Sequence, residues 1–284
     1  MKEKLSEREE TILEAFSHDD VKQVKKWLDE GTLSVDMRIS GVPLIALTCT
    51  YKDKPKFRIA ELLLQYGCNI EQKTQSGGSS PLFYAIQMGK PLIALMLLAR
   101  GALPNETNKW GETPLARACA QRETKFDEII QHLLANPKIK VSTDSVDDPL
   151  IRSIALRNRE RVNLLVSHET ANLERKFDLR IFIPDQEGKL PMVMEFSGDK
   201  PNAAGKLYTF KNKTAAEIAR VLGFAEIADD LNNKMKLKSS VSGSPRSDTS
   251  ALSGQSLFSV RSVRNELNTP LLGNQRPPMG SESP

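Results

Sequence analysis

The chain has 284 residues, with 40 Lys and Arg against 36 Asp and Glu and a formal net charge of +4. Such an even balance makes nucleic acid a poor default partner. The longest apolar run, residues 92–99, is far shorter than the roughly 18 residues needed to span a bilayer, so we expect no membrane insertion. The charged start, MKEKLSEREE, does not resemble a secretory signal.

The three cysteines, Cys49, Cys68 and Cys119, are far apart and odd in number. Small buried thiols explain them better than disulfides or a metal site. The three histidines show no metal-ligand spacing, so we expect neither a metal nor a cofactor. Free thiols fit a reducing compartment, which favours a cytoplasmic location.

The first segment, residues 7–31, predicts two short helices. Ile12 and Phe16 lie on one apolar face, and Val24 and Leu28 form a second face after a polar turn. Trp27 has helical spacing with Val24 and Leu28, which favours a core position over a binding position.

Four further segments begin with the same dipeptide, Pro-Leu. The prolines are Pro43, Pro81, Pro114 and Pro149, which are 38, 33 and 35 residues apart. A short apolar segment follows each of them, and then a second one that contains a Leu-Leu pair. Spacing this regular indicates internal repeats whose extra residues fall in loops.

Residues 107–137 form the clearest unit. Thr113 is predicted to cap a helix and Pro114 to occupy its first position, where a missing N–H is harmless. The second helix has an apolar stripe: Phe126, Ile129, Ile130, Leu133 and Leu134. Two helices this short need stacked copies to bury their apolar faces.

The stretch N-K-W-G-E-T-P-L at residues 108–115 resembles the D-x-x-G-x-T-P-L motif of ankyrin repeats. The resemblance implies an all-α solenoid of helix-turn-helix repeats with β-hairpin loops. About six repeats are expected in residues 1–236. The ankyrin histidine after T-P-L is missing from every repeat, which predicts weaker coupling between neighbouring loops.

Two regions of the repeat domain depart from the pattern. The run Arg157, Arg159 and Arg161 is interpreted as a solvated face rather than a basic binding patch. Residues 175–212 form an irregular insertion, either a degenerate sixth repeat with a loop at 197–208 or a β-hairpin with its tip at 185–188. Alternating apolar residues at 177–183 favour the hairpin. A final helix pair is predicted to start at Thr214.

Residues 237–284 are rich in Ser, Pro and Gly and predict a disordered tail. Apolar residues at 257–271 recur at near-helical spacing, so this part could instead fold as a helix on a partner.

No nucleophile elbow, phosphate loop or metal motif is present, so we expect no enzyme activity. The resemblance implies a monomeric, non-catalytic scaffold that binds a partner protein through a concave groove and its loop tips. One alternative is a bacterial effector that binds a host protein after delivery into the host cytosol. A less favoured alternative is an enzyme with its active site in the insertion at 175–208.

The groove positions follow from the resemblance, residue by residue. The expected partner-binding residues are Lys109, Trp110, Glu112, Arg117, Gln121, Ser76, Ser79, Tyr84, Met88, Arg38 and Arg152. Trp110 is the strongest candidate because packing does not demand an aromatic at a turn tip. It could equally fold back over the neighbouring loop. Arg117 is expected to pair with an acidic group of a partner.

Overall fold

The computed structural model of the chain describes residues 5–51, 56–141, 148–185, 191–195 and 204–242. The helices in these residues are α1 Glu7–Ser17, α2 Val21–Asp29, α3 Leu44–Leu47, α4 Phe57–Gln65, α5 Pro81–Gln87, α6 Pro91–Ala99, α7 Pro114–Cys119, α8 Asp127–Leu134, α9 Pro149–Ala155, α10 Arg159–Ser167, α11 Ala215–Val221 and α12 Ala225–Ser242. The strands are β1 Arg38–Ile39, β2 Val42–Pro43, β3 Lys176–Pro184, β4 Met192–Glu195 and β5 Gly205–Thr214.

The helices described in these ranges form six pairs that pack one on the next. The first helices contact in succession, α3 to α5, α5 to α7, α7 to α9 and α9 to α11. The second helices do the same from α2 through α4 and α6 to α8, and α10 contacts α12. One continuous apolar core runs from Ile12 to Leu231. Each short helix thus buries its apolar face against neighbouring pairs, as stacked repeats require.

The predicted helix starts are confirmed. Pro81, Pro114 and Pro149 each occupy the first turn of a first helix. The Thr113 hydroxyl accepts the N–H of Ala116 at 3.2 Å, which satisfies one of the free donors at the start of α7.

The segment after α10 contains a three-stranded antiparallel sheet in the order β4-β3-β5. The pairing of β3 with β4 confirms the predicted hairpin, with Ile181 opposite Val193, although residues 186–190 at its turn lie outside the described residues. The third strand, β5, begins at Gly205; the favoured hairpin did not include it, and the alternative of a degenerate repeat placed a loop at 197–208. The fold is therefore helical with a small sheet, and the all-α class expected from the sequence describes the helix pairs but not this segment.

Thr214 ends β5 and begins the last helix pair, as predicted. Its hydroxyl accepts the N–H of Glu217, whose carboxylate in turn accepts the N–H of Thr214 at 2.8 Å. This reciprocal cap and the nearby ammonium of Lys213 lower the pKa of Glu217 to about 2.

Basic side chains tie the second and third helix pairs to the pairs that precede them. Lys56 Nζ donates to the carbonyl oxygen of Ser17 at 2.7 Å, and Lys90 Nζ donates to that of Tyr51 at 2.5 Å. The carbonyl of Ser17 lies at the end of α1, where free acceptors and the helix dipole favour a cation, and that of Tyr51 lies in the turn that follows α3. Cations therefore join the interhelical turns of successive pairs.

Arg161 makes the most extensive of these connections, and its predicted solvated position is wrong. Its side chain is only 2% exposed. Its guanidinium donates to the carbonyl oxygens of Cys119, Gln121 and Glu123 and pairs with Asp127 at 2.6 Å. The group thus closes the C-terminal end of α7 and the start of α8 from the next pair.

The final helix is attached at both ends. Arg159, half exposed, forms a two-pronged ion pair with Asp230 at 2.6 and 3.1 Å and contacts Glu226 at 3.0 Å. Lys238 Nζ donates to the carbonyl oxygens of His168 and Ala171. The helix continues to Ser242; residues 243–284, with most of the predicted tail, lie outside the described residues.

The predicted burial of the three thiols is confirmed. Cys49, Cys68 and Cys119 are free and buried. Burial raises the pKa of Cys49 and Cys119 to about 12 and that of Cys68 to about 11. Among the described residues, no helix is both long and apolar enough to cross a membrane.

Candidate functional site

The loops that precede the first helices are joined directly to one another. The backbone N–H of Gln75 donates to the carbonyl oxygen of Gly41 at 2.9 Å, and that of Lys109 donates to Gly77 at 3.0 Å. Arg38 donates from its side chain to the carbonyl oxygen of Lys73 at 3.2 Å. These bonds join neighbouring loops in the absence of that histidine, and the weaker coupling expected from its absence stays a prediction.

Asn108 fixes the loop tip of the fourth repeat. Its side-chain oxygen accepts the backbone N–H groups of Trp110 and Glu112 at 2.9 and 3.0 Å, and its amide donates to the Glu112 carboxylate at 2.7 Å. Asn108 is 5% exposed, so little water competes for these bonds. Sequence reasoning did not select it, although an Asn that opens a tight turn was a usable signal.

Trp110 is both exposed and close to the neighbouring loop, which are the two positions that the sequence left open. Its side chain is 62% exposed, the largest exposure among the large apolar residues described. One edge of the ring lies beside Gly77 of the neighbouring loop. A Cβ added to Gly77 would lie 3.4 and 3.6 Å from two carbon atoms of the indole. Lys109 Nζ lies 4.6 Å from the ring centroid and donates to the carbonyl oxygen of Ser76. The indole is therefore held in place while most of it faces solvent.

Three charged residues meet at the N-terminal end of α7. Arg117 NH1 lies 4.0 Å, and Arg152 NH2 3.7 Å, from the same carboxylate oxygen of Glu112. Arg117 comes from α7 and Arg152 from α9, so the packing of neighbouring first helices creates the cluster. We call these residues the Arg117–Arg152–Glu112 cluster.

The remaining predicted residues are spread over the first helices. Tyr84 is half buried on α5, and burial raises its pKa. Met88, 38% exposed, and Gln121 lie at the C-terminal ends of α5 and α7, the opposite end from Trp110. Ser79 is only 3% exposed, which corrects its assignment, since a buried hydroxyl offers no surface to a partner.

The described residues hold no group of three or more His, Cys, Asp and Glu side chains that could bind a metal ion. Burial raises the pKa of Asp148, and the carboxylate pairs with Arg175 at 3.1 Å. It also accepts the N–H of Leu150 at 2.9 Å and so caps α9. Its surroundings explain it as a structural carboxylate.

Comparison with known proteins identifies the repeats. Residues 77–109, from the third repeat into the tip of the fourth, match the family model for the ankyrin repeat. The chain carries ankyrin repeats. It is 29% identical to mouse Rabankyrin-5 over 143 residues, which cover 44% of this chain and 12% of that protein. It is 39% identical to a putative ankyrin repeat protein of Escherichia coli K12 over 82 residues, 27% of this chain and 39% of the relative.

One solved structure resembles most of the fold. It is a chain from the complex of a predatory endopeptidase from Bdellovibrio bacteriovorus with an immunity protein. All of that chain aligns with 81% of the present chain, with a TM-score of 0.56 and 18% sequence identity. At 18% sequence identity the match supports a similar fold and nothing about function. Because this chain spans only small parts of its curated relatives, their activities are not transferred. Ankyrin repeats generally mediate protein–protein interaction and typically form non-catalytic scaffolds.

Proposed function

We propose that this ankyrin-repeat protein is a non-catalytic scaffold that holds a partner protein against the loop tips and first helices of repeats two to five. The partner-binding residues are those predicted from the sequence, except the buried Ser79. Trp110 is the centre of the surface. The proposal includes a reducing, cytoplasmic setting, which the free thiols support.

The observation that carries the proposal is the exposure of an indole that the fold holds in place. Leaving a large aromatic in water forfeits the free energy of its burial, and Trp is enriched at the centres of binding interfaces. Asn108 holds the backbone at Trp110 and one edge of the ring lies beside Gly77, so part of the side-chain entropy is lost before a partner covers the ring. A fixed, exposed aromatic is what a binding surface needs before its partner arrives.

The two alternatives gain no specific observation. The segment 175–208 consists, where it is described, of β3, β4 and the start of β5. Nothing in the described residues distinguishes an exported effector from a resident scaffold, and both would use the same surface.

The test compares baits that differ at one exposed apolar residue. Leu92 is 56% exposed at the start of α6, away from the loop tips, so Leu92→Ala is a matched control for Trp110→Ala. A protein captured by the full chain and by Leu92→Ala is purified and titrated calorimetrically against each variant. We expect Trp110→Ala to weaken binding by at least about tenfold, or about 1.4 kcal/mol. Equal binding by all three would refute the assigned surface.

A further inference from the structure

Strand β5 lies at one edge of the three-stranded sheet, because the order of the strands is β4-β3-β5. One side of the strand pairs with β3 along its length, from Gly205 to Thr214. No other strand in the described residues pairs with its second side. The edge of a sheet presents backbone N–H and C=O groups to which an extended chain can bind.

The register of the sheet shows which backbone groups of β5 face outward. The N–H of Asp185 donates to the carbonyl oxygen of Ala204 at 3.1 Å, so the adjacent Gly205 belongs to a pair whose backbone groups point away from each other. Hydrogen-bonded and non-hydrogen-bonded pairs alternate along an antiparallel ladder. Leu207 and Thr209 therefore direct their N–H and C=O groups away from β3.

This outer side of β5 is accessible. Thr209 and Lys211 are exposed and Leu207 is half-buried. Outside the sheet, no described backbone group bonds to the backbone of Leu207 or Thr209. These outward groups are thus available to a further strand.

The strand is held in its extended shape by contacts of its other groups. Phe210 is 2% exposed and belongs to the apolar core, and Tyr208 stacks on it with ring centroids 6.5 Å apart. The N–H of Asn212 donates to the carboxylate of Asp178 at 2.6 Å. An edge that is already ordered costs less conformational entropy when a partner binds to it.

The side chains of β5 favour an acidic partner over a second copy of this chain. The strand carries three lysines, Lys206, Lys211 and Lys213, and no acidic residue. Lys213 pairs with Glu217 at 2.9 Å, whereas neither of the other two pairs with an acidic side chain among the described residues. Two β5 strands side by side would bring their lysines together, and such repulsion is how edge strands avoid pairing with themselves.

We propose that an extended segment of a partner protein adds to the sheet beside β5, held by the outward backbone groups of Leu207 and Thr209. An Asp or Glu of that segment lies opposite Lys211, and an apolar side chain lies opposite Leu207. Because Leu207 and Lys211 are four residues apart, the partner carries its acid and its apolar residue about four positions apart. This binding surface does not depend on the one around Trp110.

The inference is tested with a displayed library of random linear peptides selected on the full chain. Enriched peptides are synthesised with a fluorophore, and polarisation measures their affinity for the full chain and for the variants Thr209→Pro, Thr209→Ala, Lys211→Glu, Lys25→Glu and Trp110→Ala. Proline removes one outward N–H and keeps the bonds from β5 to β3, whereas alanine at the same position keeps that N–H. Lys25 is exposed on α2, so Lys25→Glu makes the same charge change away from the sheet. Thermal melts show whether each variant is folded.

We expect the enriched peptides to carry an acid and an apolar residue at the stated spacing. Thr209→Pro should weaken their binding at least about tenfold, because it removes a backbone hydrogen bond and its ring obstructs the neighbouring strand. Lys211→Glu should weaken binding about threefold to tenfold. Thr209→Ala, Lys25→Glu and Trp110→Ala should each change the affinity less than about twofold.

A second measurement needs no variant of the protein. Each enriched peptide is resynthesised with N-methyl groups at alternate residues, in two sets that differ by one position. Successive N–H groups of a strand point to opposite sides, so one set should lose binding at least about tenfold while the other binds like the unmodified peptide. Binding through side chains alone would not produce this alternation.

The outcomes separate this inference from the proposed function. Peptides that bind Thr209→Pro normally, that are affected equally by both N-methylated sets, or that fail to enrich would overturn it. Peptides that instead lose affinity for Trp110→Ala would support the proposed function and contradict this inference. A dimer of the full chain in sedimentation that Thr209→Pro abolishes would show that the strand binds a second copy, which would also overturn it.

Discussion

Replacing Arg161 by alanine should destabilise the protein far more than the same change at Arg159, two residues away on α10. The Arg161 guanidinium is buried, contacts three backbone carbonyls and pairs with Asp127. The Arg159 side chain is 50% exposed and pairs with Asp230 in water. Alanine has a good helix propensity at both sites, so the difference measures the lost contacts.

The size of the effect follows from what each change leaves behind. Breaking a buried ion pair by removing one partner costs about 3–5 kcal/mol, but the Asp127 side chain is 32% exposed and regains some hydration. We therefore expect about 3 kcal/mol for Arg161→Ala, or roughly 6–12 °C in Tm for a fold of this size. An exposed pair contributes at most about 1 kcal/mol, so Arg159→Ala should lower Tm by no more than about 4 °C.

Urea and thermal unfolding followed by helical circular dichroism give both quantities. Arg161→Met separates hydrogen bonding from packing, because methionine keeps an apolar stem but leaves the carbonyls of the α7–α8 turn without their donor. It should remain about 2 kcal/mol less stable than the unaltered chain. Equal losses for Arg161→Ala and Arg159→Ala would show that the buried network contributes nothing beyond a surface pair.

Three further predictions concern other parts of the chain. Gly78→Ala should lower the free energy of unfolding in urea by at least about 1 kcal/mol. Gly78 has a φ of +61°, and a Cβ there would lie 3.3 Å from the backbone nitrogen of Lys109. An unchanged free energy of unfolding would contradict this backbone conformation. The pKa of Glu217 is about 2 in the folded protein, below its usual value of 4.5. The ionised Glu217 therefore contributes fully to folding stability above about pH 5, and this contribution is lost as the pH falls to about 2. Glu217→Gln should reduce the dependence of the unfolding free energy on pH in this range. Cys49 and Cys119 should react with a thiol reagent only as fast as the protein unfolds, because burial raises the pKa of both thiols to about 12. Rapid labelling of the native protein would contradict their burial.

The helix starts and the core stripes could be predicted because the residues that form them are close in sequence. Thr113 bonds to Ala116 three residues later, and Pro114 needs only its own ring to suit a first helical position. Ile129 and Leu133 are buried on one face of α8, and their spacing of four residues in the sequence already indicates a helix with an apolar face. The spacing of the prolines then indicated that these units repeat, and the resemblance of residues 108–115 to the ankyrin motif pointed to the family.

Only the tertiary structure decided which charged and aromatic residues are available. Arg161 looks like any surface arginine in a basic run, yet its carbonyl partners lie 38 to 42 residues earlier in the chain. Arg117 and Arg152 meet at Glu112 because α7 packs on α9, and Gly77 of the preceding loop positions Trp110. Local pattern predicts each repeat, but the contacts between repeats place the functional surface, and these depend on neighbours that no single window of sequence contains.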